Sequence, residues 1–309
     1  MPHASPARLC TFLAIVVLGL SGCGPDLARN VDFERGLQYG SGWVISGDGF
    51  AQRDLLFDWL EPNDIPRENR PAVVMIHGGG FDSGGRDDDQ LFALANQLAT
   101  NGYVCFLIDY RLLPDVPPAP DDFDIIDDIV RLKQFDYSLE RIQDAIHAAS
   151  VDAKTAMRHV RENAATYGVD PNRIAILGES AGGFAAFGAG VTGSTTFAAD
   201  GGGLGVPPEN NAGVNARPNA IVDLWGSADF VLDEFGASDP PVMIVHGFLD
   251  TQLGTFYAVA LRIAAACEDA GIPFSFITFF DQGHGAWEGM SDGKNLSELV
   301  LEFLGTYLD

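Results

Sequence analysis

Basic side chains are scarce in this chain, and lysine is the scarcest of them. The 309 residues contain 18 Lys and Arg against 43 Asp and Glu, a formal net charge of −25 at pH 7. A surface with this excess of negative charge repels polyanions, so nucleic acid is not expected as a partner. The imbalance fits either a salt-adapted surface or a genome composition that favours arginine over lysine.

Closely spaced metal ligands are also lacking. The four cysteines and six histidines do not form pairs with the spacing of a zinc site. Five aspartates lie among apolar residues within residues 121–128, but they do not have the spacing of an EF-hand loop. We therefore expect no metal site, and a solvated acidic face is favoured over a calcium site.

A long apolar run is absent as well, since the longest one covers only residues 9–20. It is too short to span a bilayer as a helix but has the length of the hydrophobic region of a signal peptide. It ends in the tetrapeptide LSGC at residues 20–23, which resembles the lipobox of bacterial lipoproteins. The resemblance implies a signal peptide in residues 1–22 and lipidation of Cys23. The alternative is an ordinary signal peptide with an incidental cysteine.

If Cys23 is lipidated, residues 23–34 are expected to tether a domain to the membrane of the cell envelope, on its periplasmic or cell-surface face. The remaining residues, 35–309, alternate between apolar, β-branched runs and helical patterns and are expected to form one domain. Continuous apolar strands between helices predict a mostly parallel sheet buried on both faces, and the more alternating residues 54–60 predict an antiparallel strand near its edge. Further strands are predicted at residues 72–76, 104–108, 174–177, 220–224, 242–245 and 274–280, and helices at residues 88–101, 139–167 (broken), 255–270 and 295–308.

Two segments interrupt this alternation. Residues 112–140 open with four prolines and continue with the aspartates, which predicts a small, acidic, partly helical insert that could act as a cap. Residues 192–218 are rich in Gly, Pro and Asn and predict a long loop. Loops of this length in a compact domain often line sites.

The pentapeptide GESAG at residues 178–182 follows one of these strands and opens a helix of small residues. This is the G-x-S-x-G pattern in the strand–turn–helix context that gives it meaning. The flanking glycines permit a sharp turn, which exposes Ser180 as a candidate nucleophile. The Ala181 amide, at the helix N-terminus, is free to donate to a negative oxygen.

A second glycine motif, HGGGF at residues 77–81, follows the strand at residues 72–76. Successive glycines let backbone amides turn toward a ligand. A phosphate-binding loop is disfavoured because the motif has no Gly-Lys-Ser/Thr ending and no GxGxxG turn with a helix directly behind it. His77 itself is interpreted as a structural orienter of the loop.

With both motifs in place, the chain resembles the α/β-hydrolase superfamily and, within it, the HGGG-bearing carboxylesterases, including the hormone-sensitive-lipase-like group. The tripeptide DYR at residues 109–111 and the stretch YGVDPNR at residues 167–173 extend the resemblance. It implies an eight-stranded, mostly parallel sheet with helices on both faces and an insert after the fourth strand. Glu179 departs from the hormone-sensitive-lipase-like pattern, which usually has Asp there, and leaves the subfamily open.

The resemblance also assigns roles to residues. The nucleophile falls on Ser180, the acid on Asp250, the base on His284, and the oxyanion hole on the amides of Gly79, Gly80 and Ala181. Asp223 and Asp229 are the alternative acids, whereas His246 lies too early to be the base. In this fold Cys105 would lie on the fourth strand and Cys267 on the helix between the seventh and eighth strands, too far apart for a disulfide.

The resemblance implies a carboxylesterase acting on short-chain acyl esters or on acetylated or feruloylated sugar esters, without a cofactor. A serine peptidase of the prolyl-oligopeptidase type is the first alternative, although that family does not use an HGGG loop and usually carries a propeller domain. The second is a non-catalytic surface binding protein on a hydrolase fold. Five aromatic residues could line a substrate pocket, with core packing as the alternative: Phe81, Trp225, Phe230, Phe248 and Trp287.

Overall fold

The structure, a computed structural model, describes residues 30–129, 137–201, 203–252 and 254–308. The predicted signal peptide, Cys23 and residues 24–29 of the predicted tether lie outside the described residues. Residues 130–136 of the predicted insert also lie outside them. Within the described ranges, no helix combines the length and the apolar character needed to cross a membrane.

An eight-stranded sheet forms the centre of the domain, with strand order β1-β2-β4-β3-β5-β6-β7-β8. The pairs β1/β2 and β2/β4 are antiparallel, and all other neighbouring pairs are parallel. This confirms the predicted mostly parallel sheet with an antiparallel edge. The strands are β1 (Val31–Ser46), β2 (Gly49–Pro62), β3 (Arg70–Ile76), β4 (Val104–Ile108), β5 (Val169–Glu179), β6 (Ala220–Leu224), β7 (Val242–Gly247) and β8 (Phe274–Phe279).

The central strands are apolar throughout because both of their faces are covered. On β3, Val74 and Ile76 belong to one core cluster, whereas Val73 and Met75 belong to the cluster on the opposite face. All four side chains are fully buried. The pattern of alternate residues pointing to opposite faces therefore supports two cores at once.

Helices cover both faces and confirm the predicted helical segments with small changes at their ends. Helices α1 and α6 pack on one face, and α2, α4 and α5 pack on the other. The predicted break in the long helical segment falls at Asn163, which ends α2. The helices are α1 (Asp89–Thr100), α2 (Leu139–Glu162), α3 (Ala164–Tyr167), α4 (Ala181–Gly190), α5 (Ala258–Ala270) and α6 (Leu296–Leu308).

The edge hairpin of β1 and β2 corrects the predicted start of the domain. Residues 31–34 of the predicted tether are the first residues of β1, where Val31 pairs with Pro62 and Glu34 with Trp59. The sequence pattern conceals this strand because its first half is largely exposed and its register shifts twice. Pairing with β2, rather than an apolar face, places these residues in the sheet.

The insert and the cysteines lie where the resemblance implied. The described residues 112–129 follow β4 and form turns and extended chain, so the predicted helical part is not found in that range. Four prolines there restrict the backbone and remove amide donors. Cys105 on β4 and Cys267 on α5 are both buried and unpaired, which confirms the predicted absence of a disulfide between them.

The strand order also fixes where a site can form. The chain moves outward from β3 to β4 and then returns to place β5 on the other side of β3. The crevice at the carboxyl ends of β3 and β5 is therefore a topological switch point, the usual place for ligand binding in open α/β sheets. The glycine motif at residues 77–81 follows β3, and Ser180 follows β5.

Candidate active site

Ser180 occupies a sharp turn between β5 and α4. Its backbone has φ 53° and ψ −117°, a left-handed conformation that a non-glycine residue adopts only under constraint. A Cβ atom at Gly178 would lie 2.1 Å from the Gly182 carbonyl oxygen, and one at Gly182 would lie 2.2 Å from the Ile76 carbonyl oxygen. Only glycine fits at both positions, so the turn requires the two glycines of the sequence motif.

The structure brings Ser180, His284 and Asp250 together in one hydrogen-bonded chain. The Ser180 Oγ atom lies 2.9 Å from His284 Nε2, and His284 Nδ1 lies 2.8 Å from Asp250 Oδ2. These contacts join loops that follow β5, β7 and β8. With Nδ1 donating to the carboxylate, Nε2 has a free lone pair that can accept the serine proton.

Asp250 accepts more hydrogen bonds than the sequence indicates. The Gln252 amide donates to Oδ1 at 2.8 Å, and His246 Nε2 lies 3.1 Å from Oδ2, the oxygen that also contacts His284. Burial disfavours the charged carboxylate, but the bonds from His246, His284 and Gln252 outweigh it and lower the pKa of Asp250 to about 2. Asp250 is therefore an anion across the physiological range.

His246 is the residue whose contact with the site the sequence analysis missed. The sequence offers it only as a candidate base, a role that its early position in the chain disfavours. The one available signal was its spacing of four residues before Asp250, with the intervening residues turning at the end of β7. Its Nδ1 atom is buried and has no hydrogen-bond partner among the described residues.

The glycine loop follows β3 at the same crevice and has free backbone amides. Gly79 and Gly80 have φ values of 110° and 62°, in the region that favours glycine. Across the described residues, the amides of Gly79, Gly80 and Ala181 donate to no protein acceptor. Free amides at a helix N-terminus and a glycine loop are suited to binding an oxyanion.

His77 and Tyr110 contact this loop and stabilise its position. Their rings stack with centroids 4.4 Å apart, and His77 Nδ1 lies 2.6 Å from the Gly78 carbonyl oxygen. Burial lowers the pKa of His77, which favours a neutral ring that donates from Nδ1. These contacts agree with the predicted orienting role of His77.

Glu179 connects the glycine loop to the nucleophile turn. Its Oε1 accepts the Gly78 amide, and its Oε2 accepts the Trp225 indole N–H at 3.1 Å. Trp225 in turn packs edge-on against Trp287, three residues after His284, with ring centroids 4.8 Å apart. Burial raises the pKa of Glu179, and the two donors oppose that rise.

The two alternative acids are not placed to contact His284. Asp223 is fully buried on β6, where its Oδ1 accepts the Gly226 amide at 3.1 Å. Asp229 forms an ion pair with Arg262 on α5. Of the three carboxylates considered from the sequence, only Asp250 hydrogen-bonds to the imidazole.

The five aromatic residues considered for a pocket divide into two groups. Phe81, Trp225 and Phe230 are buried and pack in the core, whereas Phe248 is 49% exposed beside Asp250. Trp287 is partly buried against the core. In the part of the chain that the structure describes, no group of three His, Cys, Asp or Glu residues could hold a metal ion.

Two protein families match this chain, and the matches cover different parts of the site. The family described as BD-FAE matches residues 58–132 and 126–236, which together exceed half of the chain. The chain belongs to the BD-FAE family. In this BD-FAE member the matched region includes the glycine loop, the Ser180 turn and β6. A second match, to the prolyl oligopeptidase family, covers residues 215–309, the part that carries Asp250 and His284.

Curated relatives of this BD-FAE member include two proteins of Mycobacterium tuberculosis. Carboxylesterase NlhH is 36% identical over 141 residues, which are 45% of this chain and 34% of the relative. Esterase LipC is 30% identical over 187 residues, 60% of this chain and 36% of the relative. The chain thus spans about a third of the length of these curated relatives.

Solved structures confirm the α/β-hydrolase fold of this BD-FAE member. Esterase 2 of Thermogutta terrifontis with bound propionate superimposes with a TM-score of 0.62 at 22% identity, covering 90% of this chain and 94% of that one. The same esterase phosphorylated by paraoxon gives a TM-score of 0.63 at 23% identity, with 90% and 94% coverage.

Proposed function

We propose that the protein is a serine carboxylic ester hydrolase. The observation that carries the proposal is the hydrogen-bonded chain from Ser180 through His284 to Asp250 beside three unpaired amides. Nucleophile, base, acid and oxyanion donors meet at one switch-point crevice, which is the arrangement that acyl transfer requires. The names of the carboxylesterase and esterase relatives support the same reaction class.

In the proposed reaction, Ser180 Oγ attacks the ester carbonyl carbon while its proton passes to His284 Nε2. The amides of Gly79, Gly80 and Ala181 hold the negative oxygen of the tetrahedral intermediate. Collapse breaks the bond to the alcohol oxygen, which takes the proton from His284, and leaves an acyl group on Ser180. Water then repeats the sequence and releases the acid.

Asp250 stays ionised and acts on the imidazole rather than on the substrate. Its contact with His284 Nδ1 fixes the ring so that Nε2 faces Ser180, and its charge stabilises the imidazolium that forms during attack. The substrates we propose are short-chain acyl esters or acetylated or feruloylated sugar esters.

A serine peptidase is the second candidate because the prolyl oligopeptidase family matches residues 215–309. That region supplies the acid and the base, which esterases and peptidases of this fold share. The glycine loop lies in the other region, residues 58–132, which matches BD-FAE. Ester hydrolysis is favoured because it fits both the glycine loop in the first match and the acid and base in the second.

The test is turnover of p-nitrophenyl esters from acetate to palmitate by the full chain, with Ser180→Ala as its control. Fast turnover of short chains that disappears in Ser180→Ala is the expected result. No turnover at any chain length by folded protein, in low and high salt, would contradict the proposal. Prolyl-amide substrates would then test the peptidase, and their inertness would favour a binding protein.

We also propose export and lipid anchoring through Cys23, on the basis of the LSGC motif and the preceding apolar run. Metabolic labelling with palmitate should mark the wild-type chain and not Cys23→Ser, which should leave the membrane fraction. Membrane retention of unlabelled Cys23→Ser would contradict the anchor.

A further inference from the structure

Three arginines are buried among the described residues, and only two of them have a carboxylate partner. Arg70 forms an ion pair with Glu61. Arg111 forms an ion pair with Asp152. Arg158 on α2 is 1% exposed, and its Nε and Nη1 atoms are buried without a hydrogen-bond partner in the part of the chain that the structure describes.

An unpaired guanidinium is strongly destabilising in a protein interior. Arginine stays protonated in proteins, so Arg158 cannot become neutral as a buried carboxyl group or amine does. Burial lowers the pKa of Arg158, and no described carboxylate opposes this effect. Glu162, one turn further along α2, is exposed and forms no ion pair with Arg158. The charge of Arg158 therefore has no counter-charge among the described residues.

A second buried cation lies one turn before Arg158 on the same helix. Lys154 is also 1% exposed, and its Nζ atom donates to the carbonyl oxygens of Gly193 and Thr196 at 2.7 and 2.6 Å. Burial and, secondly, the charge of Arg158 lower the pKa of Lys154 to about 7, and the charge of Glu234 opposes them. Two buried like charges thus repel each other on one helix face.

The loop that follows α4, residues 192–218, covers this face of α2. Lys154 binds two carbonyl oxygens in its first part, and Arg161 Nη2 donates to the Arg217 carbonyl oxygen, near its end, at 2.7 Å. Spacings of four and three residues place the basic side chains of Lys154, Arg158 and Arg161 on one face. Arg158 therefore lies between two cations that bind this loop.

The loop itself supplies no negative charge to Arg158. Its two carboxylates belong to Asp200 and Glu209. The Asp200 carboxylate lies 2.8 Å from the Arg111 guanidinium, and Glu209 accepts a hydrogen bond from the Ser41 hydroxyl. Because both carboxylates have partners elsewhere, the missing counter-charge has to come from a bound ion.

We propose that Arg158 binds a small monovalent anion, such as chloride, between α2 and the loop that follows α4. The N–H groups along one edge of the guanidinium donate to the ion. One negative charge balances Arg158 and weakens its repulsion with Lys154. This anion site does not rest on the proposed ester hydrolysis.

The surroundings of Arg158 select the class of anion. Its Nε and Nη1 atoms are closed to solvent, which leaves no room for a bulky organic acid. The formal charge of −25 also repels anions from the surface of the protein, so binding requires the local charge of Arg158 and Lys154. A monatomic anion satisfies both conditions.

The experiment measures the Tm of the full chain in equal concentrations of sodium chloride and sodium gluconate. Arg158→Met keeps an unbranched side chain and removes the charge. Arg53→Met is the matched control, because it removes one positive charge at a position that is 48% exposed. General effects of the two salts are common to all three proteins and cancel in the comparison.

We expect chloride to raise the Tm of the wild type and of Arg53→Met by about 2 to 4 °C more than gluconate does. The Tm of Arg158→Met should be equal in the two salts. In gluconate, Arg158→Met should be at least as stable as the wild type, because an apolar side chain replaces an unpaired buried charge.

A second measurement needs only the wild type. In crystals soaked in sodium bromide, anomalous scattering should place a bromide ion within hydrogen-bond distance of the Arg158 guanidinium. This result does not depend on whether Arg158→Met folds.

Equal effects of chloride and gluconate on the wild type would overturn the anion site, and so would a chloride effect that persists in Arg158→Met. A loss of Tm in Arg158→Met that is the same in both salts would also overturn it and would leave Arg158 a packing role alone. Crystals without bromide at Arg158 would contradict the site directly.

Discussion

His246 and His284 share one oxygen of Asp250, with His246 Nε2 at 3.1 Å and His284 Nδ1 at 2.8 Å. His246 is fully buried, and its Nε2 also lies 2.5 Å from the Thr255 carbonyl oxygen. The two acceptors require Nε2 to carry the hydrogen, so His246 is a donor to the carboxylate. The Asp250 carboxylate that contacts His284 therefore also accepts a hydrogen bond from His246.

Removing the His246 donor should change the pH dependence of catalysis. In His246→Leu the pKa of the Asp250 carboxyl rises, and its charge acts more fully on the protonated form of His284. We expect the acid limb of the kcat/KM profile to move upward by about half to one pH unit.

His246→Gln is the matched variant because its side-chain amide can replace the Nε2–H donor. It should restore most of the wild-type profile. Full pH profiles of both variants with p-nitrophenyl acetate provide the measurement. An equal loss of kcat in both variants, with the acid limb unmoved, would mean that His246 only fills space.

Ser180 and His284 should behave as a unit. Each alanine substitution is expected to lower kcat by about 10⁶, and the double variant Ser180→Ala/His284→Ala should lose little more. The reason is that the serine is a weak nucleophile without its base, and the base has no proton to accept without the serine. Single-turnover assays of all three variants measure these losses. Additive losses would show that Ser180 and His284 do not act as a unit.

Glu179 is expected to position the oxyanion amides. Glu179→Ala removes the acceptor of both the Gly78 amide and the Trp225 indole, so the glycine loop loses its link to the nucleophile turn. We expect kcat to fall about 10²-fold with KM nearly unchanged, as when one oxyanion donor is lost.

The conservative variant Glu179→Gln keeps one acceptor oxygen and should show a smaller loss. Steady-state kinetics with an active-site titration by a phosphonate ester give kcat per competent site. If KM rises as much as kcat falls, Glu179 does not act by positioning the glycine loop. The same conclusion follows if kcat is equal in Glu179→Gln and Glu179→Ala.

The fold was largely predictable because its strands and helices have simple periodicities. Buried parallel strands such as β3 are apolar at every position, and the break at Asn163 divides the long helical segment as predicted. β1 was not predictable in the same way. Its first half is exposed and polar, and it is specified by pairing with β2 rather than by its own pattern.

Within the site, the motifs predicted Ser180 and the glycine loop, but not the contacts between loops. Gly78 and Glu179 are 101 residues apart, and Trp225 meets Glu179 from a third strand. Such contacts depend on strand order, which periodicity does not specify.

Asp223 predicts a distinctive dependence of stability on pH. Burial, opposed by the Gly226 amide, raises its pKa from 3.8 to about 8, and its Oδ2 has no partner among the described residues. Between these two pH values the folded chain holds a proton that the unfolded chain has released. The free energy of unfolding should therefore fall as the pH rises through this window, by up to about 1.4 kcal/mol per pH unit for this group.

The side chain introduced in Asp223→Asn cannot ionise, so this variant should lack the contribution. The free energy of unfolding of Asp223→Asn, relative to that of the wild type, should therefore increase from pH 5 to pH 8. Urea unfolding of both proteins at pH 5, 6.5 and 8 gives the difference directly. Asp121→Asn, at an exposed position, should keep the wild-type slope. Parallel curves for wild type and Asp223→Asn would mean that folding does not raise the pKa of Asp223.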